Sequence, residues 1–114
     1  MTDCIFCRIV AGDVPADSVA STERTYAFRD IKPALPVHIL IVPREHIVSA
    51  DTVTADHAAA LAEMMETAQR VARDERLAER GYRLVFNVGE DAQNSVAHLH
   101  MHLVGGRPME WPPG

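Results

Sequence analysis

The stretch AHLHMHLVGG, residues 97–106, alternates histidine with aliphatic residues before two glycines end it. A period of two residues is typical of a β-strand. On a strand, the side chains of His98, His100 and His102 point to one face of the sheet, and those of the intervening residues point to the other. The stretch therefore predicts a strand whose aliphatic side packs on a core, with three imidazoles lining a surface or a cleft.

The spacing of the histidines limits what they can do together. His98 and His102 stand about 13 Å apart on a strand that rises about 3.3 Å per residue. A metal ion with nitrogen ligands at about 2.1 Å cannot easily be held by all three rings. Two neighbours can still share an ion, or one end of the row can join a metal site formed elsewhere while the others act in chemistry. Chance is a poor account of three histidines on one face.

Length and charge narrow the classes of protein. A chain of 114 residues, 47% of them hydrophobic, is long enough for one domain with a modest core. The net charge of −5 and the lack of a basic run argue against duplex nucleic acid as a partner, but a small anionic ligand stays possible. The sequence shows neither a signal-peptide pattern nor the ~20 apolar residues of a membrane span, so we expect a cytoplasmic protein with no membrane partner.

Hydrophobic periodicity predicts five strands and two helices. The predicted strands cover residues 18–22, 25–29, 38–43, 82–88 and 98–104. A short helix is expected over residues 3–10, and a long one from about Ala55, after the N-cap Thr54, to the late seventies, with Gly81 as its stop. A helix of about 22 residues is roughly 33 Å long, and its apolar face either backs the sheet or is shared with a second copy. Short links favour antiparallel pairing, so the predicted class is α+β.

Further segments complete a family pattern. They are CIFC at residues 4–7, AFRDI at 27–31, HILIVP at 38–43, EHI at 45–47, GYR at 81–83 and WPPG at 111–114. With the histidine row they span nearly the whole chain, which resembles the histidine-triad (HIT) nucleotide hydrolases. The closing WPPG is typical of the Hint branch of that family rather than of the branch that cleaves dinucleoside polyphosphates.

The resemblance implies a single HIT domain over residues 1–114, with a five-stranded antiparallel sheet, one long helix and one short helix. It implies a homodimer whose two sheets join, with one purine nucleotide site per subunit. It also implies hydrolysis of purine nucleoside phosphoramidates through a covalent nucleotidyl-histidine intermediate. The alternatives are a nucleotide-binding regulatory protein with incidental turnover, and a dinucleoside-polyphosphate hydrolase or nucleotidyl transferase on the same fold.

Attack by an imidazole carries a structural requirement. A neutral imidazole is available at pH 7, but attack through one ring nitrogen requires the other to keep its hydrogen and donate it to an acceptor, such as a nearby backbone carbonyl. The resemblance implies that His100 is the nucleophile and that His102 donates to a phosphate oxygen. It places His38 near the phosphate, where the alternative is a satisfied core histidine. It places Ser95 beside the scissile bond, where the leaving amine must gain a proton.

The resemblance also assigns residues to the rest of the nucleotide. Asp30 matches the carboxylate that accepts both ribose hydroxyls, although an aspartate before Ile-Lys-Pro is more often a turn residue. Asn87 matches an asparagine that binds phosphate or sugar, and its alternative role is loop capping. Trp111 is expected to dock near the partner subunit's site. The purine slot, which spacing alone assigns to the core, would be formed by Ile5, Phe6, Ile9, Phe28, Ile31 and Leu40.

One loop departs from the family pattern. Where the family has glycines and a glutamine before the serine, this chain has Gln93 and Asn94 before Ser95. Gln93 tolerates a positive φ less readily than glycine does. We therefore expect an altered backbone cradle around the phosphate and a changed preference for the leaving group.

The pair Cys4-x-x-Cys7 has the spacing of metal ligands but no second pair. Zinc needs two more ligands, and His46 and His98 are the candidates. The resemblance to bacterial family members implies a structural zinc site, one per subunit, that the first histidine of the row completes. The alternative is two reduced cysteines packed as small hydrophobes.

Overall fold

The computed structural model describes residues 3–114, and its centre is a five-stranded antiparallel sheet. The strands are β1 Ser18–Ser21, β2 Thr25–Arg29, β3 Val37–Pro43, β4 Tyr82–Phe86 and β5 Met101–Gly105, in the order β1-β2-β3-β5-β4. The predicted α+β class and five-stranded antiparallel sheet are confirmed. β3 is central, because its apolar run suits a strand buried on both faces.

The two helices lie on opposite faces of this sheet. α1 covers Ile5–Val10, and α2 covers Ala58–Asp74 after two short 3-10 turns at Ala50–Thr52 and Ala55–His57. α2 packs on one face against the larger apolar cluster, which includes Ile39 of β3. Leu40, the next residue of β3 after Ile39, points to the opposite face and belongs to the smaller apolar cluster, to which α1 contributes. None of the helices within residues 3–114 has the length and apolarity needed to cross a membrane.

The predicted end of the long helix is wrong. Gly81 is not its stop, because the helix ends at Asp74 and Arg76 adopts a φ of 60°. The N–H of Leu77 donates to the carbonyl of Ala72 at 2.8 Å, and that of Arg76 donates to Arg73 at 3.1 Å. This is the Schellman arrangement, with an arginine where glycine is usual. Burial of Leu77 beside it offsets the backbone strain.

The prediction that all three histidines lie on one strand is also wrong. β5 begins at Met101, so His98 and His100 precede it. Continuing the pairing of β3 with β5 would set Leu99 opposite Pro43, which has no N–H to donate. The N–H of Leu99 donates instead to the carbonyl of Ile47 at 2.6 Å. The alternation of faces nevertheless persists, because Leu99 is part of the larger core cluster while the rings of His98 and His100 contact Phe6.

Candidate active site and metal centre

The ring of His100 meets the requirement for attack through Nε2. Its Nδ1 lies 2.7 Å from the backbone carbonyl of His98. A carbonyl only accepts, so Nδ1 carries the hydrogen and the neutral ring keeps a lone pair on Nε2. Phe6 packs its ring against His100, with ring centroids 5.1 Å apart. The ring is thereby fixed in orientation as well as in tautomer.

A chain of hydrogen bonds fixes the tautomers of His38 and His102. The N–H of Ala34 donates to Nδ1 of His38 at 3.0 Å, so His38 carries its hydrogen on Nε2. That nitrogen lies 2.8 Å from Nδ1 of His102, which therefore accepts. The hydrogen of neutral His102 consequently sits on Nε2. The His100 and His102 rings are neighbours, with centroids 5.1 Å apart.

Both His38 and His102 are neutral in this arrangement. Burial, with smaller contributions from His100 and His38, lowers the pKa of His102 to about 4, although Asp30 acts in the opposite direction. His102 therefore donates its N–H at pH 7 without carrying a charge. His38 is itself 8% exposed, yet both of its ring nitrogens are used in this chain. His38 is therefore both a buried histidine and a member of the hydrogen-bonded chain that includes His102.

Asn87 lies beside the donor end of this chain. Its Nδ2 is 3.4 Å from Nε2 of His102, and in the assigned tautomer both atoms carry hydrogen. Two adjacent N–H donors form a place for an anionic oxygen. β4 ends at Phe86, one residue before Asn87, so the edge strand delivers this amide to the histidines.

Asp30 stabilises a turn and also lies beside His38 of the histidine site. Its Oδ1 accepts from the N–H of Lys32 at 2.8 Å, and its Oδ2 lies 3.5 Å from Nε2 of His38. A carboxylate offers about four lone-pair sites, so capacity for further donors is left. The neighbouring Ile31 is 92% exposed.

The loop that departs from the family pattern has a left-handed residue. Gln93 adopts a φ of 60°, and Asn94 donates from its backbone N–H to the carbonyl of Gly89 at 3.1 Å. The side-chain Oδ1 of Asn94 is buried without a hydrogen-bond partner within residues 3–114. Ser95 is exposed and makes no hydrogen bond to the histidines in that range. The loop is thus closed by its backbone, with its polar side chains unengaged.

The residues suggested for a purine slot divide into two groups. Four are buried in the smaller core cluster beside α1, namely Phe6, Ile9, Phe28 and Leu40. Ile5 is 39% exposed and Ile31 more so. The core role that spacing favours therefore holds for the four, while the two isoleucines stand at the surface.

Trp111 does not dock into its own chain. The residue is 80% exposed, and the guanidinium carbon of Arg83 lies 5.8 Å from the centroid of its ring. Arg83 also donates to the carbonyl of Glu110. An arginine on edge strand β4 thus holds the C-terminal tail alongside a groove of about 1030 Å³ that Asn87 also lines. Sequence reasoning missed this role, although Arg83 belongs to the GYR motif.

The second cluster joins Cys4, Cys7, His46 and His98, whose ligand atoms all lie within 4.8 Å of one another. Nδ1 of His98 is 3.3 Å from Sγ of Cys4, 3.4 Å from Sγ of Cys7 and 3.2 Å from Nδ1 of His46. Zinc with bonds of about 2.0–2.1 Å to nitrogen and about 2.3 Å to sulfur gives tetrahedral edges of about 3.3–3.8 Å. The observed separations of 3.2–3.4 Å lie at the short end of that range or just below it, so small movements would fit the four residues to a tetrahedral zinc ion.

The hydrogen bond of His98 supports the same conclusion. Its Nε2 lies 2.9 Å from the carbonyl of Pro43, so the hydrogen is on Nε2 and Nδ1 turns a lone pair toward the cysteines. Histidines that bind metals typically donate their other N–H in this way. Burial is the main cause of a lowered pKa for His98, which favours the neutral form that a metal requires. The structure places His98 beside Cys4, Cys7 and His46, in what we call the metal cluster. His100 and His102 lie together with His38 in a separate group.

Comparison with known proteins identifies the family of this chain. The family model described as the HIT domain matches residues 11–109. The chain belongs to the HIT family. It is 42% identical over 107 residues to the purine nucleoside phosphoramidase of Escherichia coli, covering 94% of this chain and 90% of that protein. It is also 42% identical over 112 residues to the adenylylsulfatase HINT1 of Arabidopsis thaliana, covering 96% of this chain and 76% of that protein.

Solved structures of HIT proteins superpose closely on this chain. A HIT family hydrolase from Legionella pneumophila has a TM-score of 0.96 and 46% identity, with 98% of this chain and 100% of that one covered. A zinc-bound histidine triad family protein from Mycobacterium smegmatis has a TM-score of 0.80 and 33% identity, with coverage of 92% and 76%. These relatives support a nucleotide hydrolase with the HIT fold.

Proposed function

We propose that this HIT protein hydrolyses the P–N bond of purine nucleoside phosphoramidates through a nucleotide bound covalently to His100. The observation that carries the proposal is the bond from Nδ1 of His100 to the carbonyl of His98, which leaves Nε2 as a nucleophile at neutral pH. The E. coli relative named purine nucleoside phosphoramidase supports the substrate class.

The first displacement forms a bond from Nε2 of His100 to phosphorus and breaks the P–N bond. Charge that builds on the phosphate oxygens is met by the N–H of His102 and the amide of Asn87, which lie side by side. The departing amine takes a proton, for which the exposed hydroxyl of Ser95 is the proposed route from solvent. In the second displacement water attacks phosphorus and gives a proton to solvent, while the P–Nε2 bond breaks and its electron pair returns to Nε2. The nucleoside monophosphate leaves and neutral His100 is restored.

The rest of the substrate is assigned to the residues around this centre. We propose that the unused lone pairs of Asp30 accept the ribose hydroxyls and that the loop at Gln93 and Asn94 borders the leaving group. Ile5 and Ile31, both partly or largely exposed, are proposed to contact the purine at the rim of the buried cluster formed by Phe6, Ile9, Phe28 and Leu40.

We propose a structural zinc ion held by Cys4, Cys7, His46 and His98. A four-ligand site leaves no open position, so the ion would hold α1, the loop after β3 and the segment before β5 together, without reacting. The tetrahedral fit of the ligand atoms supports this role, and the zinc-bound relative is consistent with it.

We also propose a homodimer of single HIT domains. β4 is an edge strand whose residues are all half-buried, and among the residues that the structure describes it pairs with β5 alone. Such an edge can accept a strand from a second copy. The exposed Trp111, held beside β4 by Arg83, would then reach the partner's site.

The test is release of amine from an adenosine phosphoramidate by the full chain. His100→Ala should abolish release and leave AMP binding nearly intact, while His57→Ala, outside both clusters, should turn over normally. Binding of AMP without turnover by the unaltered chain would favour the regulatory reading instead. The Arabidopsis relative named adenylylsulfatase makes adenosine 5′-phosphosulfate the second substrate to assay, and its sulfate departs without needing a proton.

A further inference from the structure

The peptide unit between His98 and Leu99 joins the two clusters. Its carbonyl accepts the Nδ1–H of His100 at 2.7 Å, and its N–H donates to the carbonyl of Ile47 at 2.6 Å. Because β5 begins at Met101, no strand ladder fixes this unit. Its orientation therefore depends on the bond from Leu99 to Ile47 and on what holds the ring of His98.

Two backbone segments converge on the ring of His98. The segment after β3 supplies the carbonyl of Pro43 to Nε2 and the ring of His46 beside Nδ1. The start of α1 supplies Cys4, whose Sγ lies 3.3 Å from Nδ1. His98 is fully buried, whereas His46 is exposed. A bound cation is what would join these segments firmly, since Nδ1 of His46 and Nδ1 of His98 lie only 3.2 Å apart, close enough for one ion to bind both.

We infer that His98 is a positioning residue through which the metal centre controls the nucleophile. With the ion bound, the ring and carbonyl of His98 are fixed and His100 is held with its hydrogen on Nδ1. Without the ion, His46 and α1 are released from His98, the carbonyl is held less firmly, and His100 also samples the tautomer with hydrogen on Nε2. That tautomer has no lone pair on the attacking nitrogen. The catalytic part of this inference rests on the proposed function, and the tautomer part does not.

The experiment compares the full chain loaded with Zn²⁺ and stripped by a chelator, at pH 8 and without nucleotide. Nitrogen-15 NMR of labelled histidines reports which ring nitrogen of His100 carries hydrogen. We expect a single Nδ1–H signature in the zinc form and its loss or averaging after stripping. In assays of turnover we expect kcat to fall about ten- to a hundredfold, with the Kd for AMP within about twofold of its starting value.

Variants separate positioning from general folding. Cys7→Ser should give the stripped behaviour even when Zn²⁺ is offered, and Cys7→His, which restores a fourth ligand, should recover the Nδ1–H signature. Within the described residues, His57 caps the turn before α2 and lies 3.4 Å from Glu45 but contacts neither cluster. His57→Ala should therefore keep the Nδ1–H signature and the kcat of the unaltered chain. Far-ultraviolet circular dichroism checks that each form is folded.

An unchanged His100 signature and unchanged kcat after stripping would overturn the inference. So would failure of the chain to take up Zn²⁺, or global unfolding on stripping, since the ion would then serve the whole fold. If the zinc form shows the signature but never releases amine, the proposed function fails while the positioning of His100 stands.

Discussion

His38 donates from Nε2 to Nδ1 of His102 across 2.8 Å, although 64 positions separate them in the chain. β3 and β5 pair with His38 opposite Val104 and Leu40 opposite His102, so the two rings are diagonal neighbours on one face. The bond makes His102 a neutral donor with its hydrogen on Nε2. A histidine on the central strand thus sets the state of a histidine on the strand beside it.

Replacing His38 should slow chemistry more than it weakens binding. His38→Ala removes the donor that fixes His102, so kcat for an adenosine phosphoramidate should fall by up to about a hundredfold, because the N–H that meets the phosphate is no longer held in place. His38→Gln can accept from Ala34 and donate toward His102, and it should retain more activity than the alanine variant. Steady-state kinetics of the two His38 variants, with His57→Ala as the control, measure kcat and KM. Equal kcat for unaltered and His38→Ala proteins would contradict the role.

The lowered pKa of His102 predicts a stability that depends on pH. The unfolded ring has a pKa near 6.5 and the folded one a pKa of about 4. Between these values the unfolded chain binds more protons, so stability is fully present above about pH 6.5 and is lost as pH falls toward 4. The full contribution is on the order of 3 kcal/mol. Urea unfolding at pH 5 and pH 7 gives the change in the free energy of unfolding between the two pH values. This change should be smaller for His102→Gln than for the unaltered chain, and equal changes would contradict the lowered pKa of His102.

Two left-handed residues predict stabilising glycine substitutions. Gln93 and Arg76 both have a φ of 60°, a conformation that costs residues with a Cβ about 1–2 kcal/mol. After the entropy that glycine adds to the unfolded chain, Gln93→Gly and Arg76→Gly should each stabilise by about 0.5–1 kcal/mol. Arg73→Gly, inside α2, is the matched control and should destabilise by about 1 kcal/mol. Denaturant titration measures the free energy of unfolding of each variant. If Gln93→Gly and Arg76→Gly both lower it, the proposed backbone strain is refuted.

The metal cluster predicts a measurable zinc content. Elemental analysis of the native chain should find one zinc per subunit, and Cys4→Ser should lose most of it. Adding Zn²⁺ to stripped protein should raise Tm for the unaltered chain and much less for the variant, because binding to the folded state alone stabilises it. Native protein without zinc would end the claim.

The sequence predicted the elements better than their ends. β2 matches its prediction over residues 25–29, and the central strand differs by one residue at its start. The predicted N-cap Thr54 is confirmed, although the first turn, Ala55–His57, is a 3-10 helix that leads into α2. The predicted C-terminal end is wrong, because Arg76 ends the helix where no glycine marks the position. Left-handed arginine is not a recognisable stop signal, since the burial of Leu77 that stabilises it depends on the folded core.

The sequence by itself determined which side chains face which way. Alternation separated the histidines from Leu99, Met101 and Leu103, and the spacing along the row argued that the three rings would not share one metal ion. Only the tertiary structure decided the tautomers, since these depend on the carbonyls of His98 and Pro43 and the N–H of Ala34. Every residue carries a backbone carbonyl, and every residue except proline an N–H, so no sequence pattern marks the ones that matter. Their partners are fixed by strand register and by loops that meet when the chain folds.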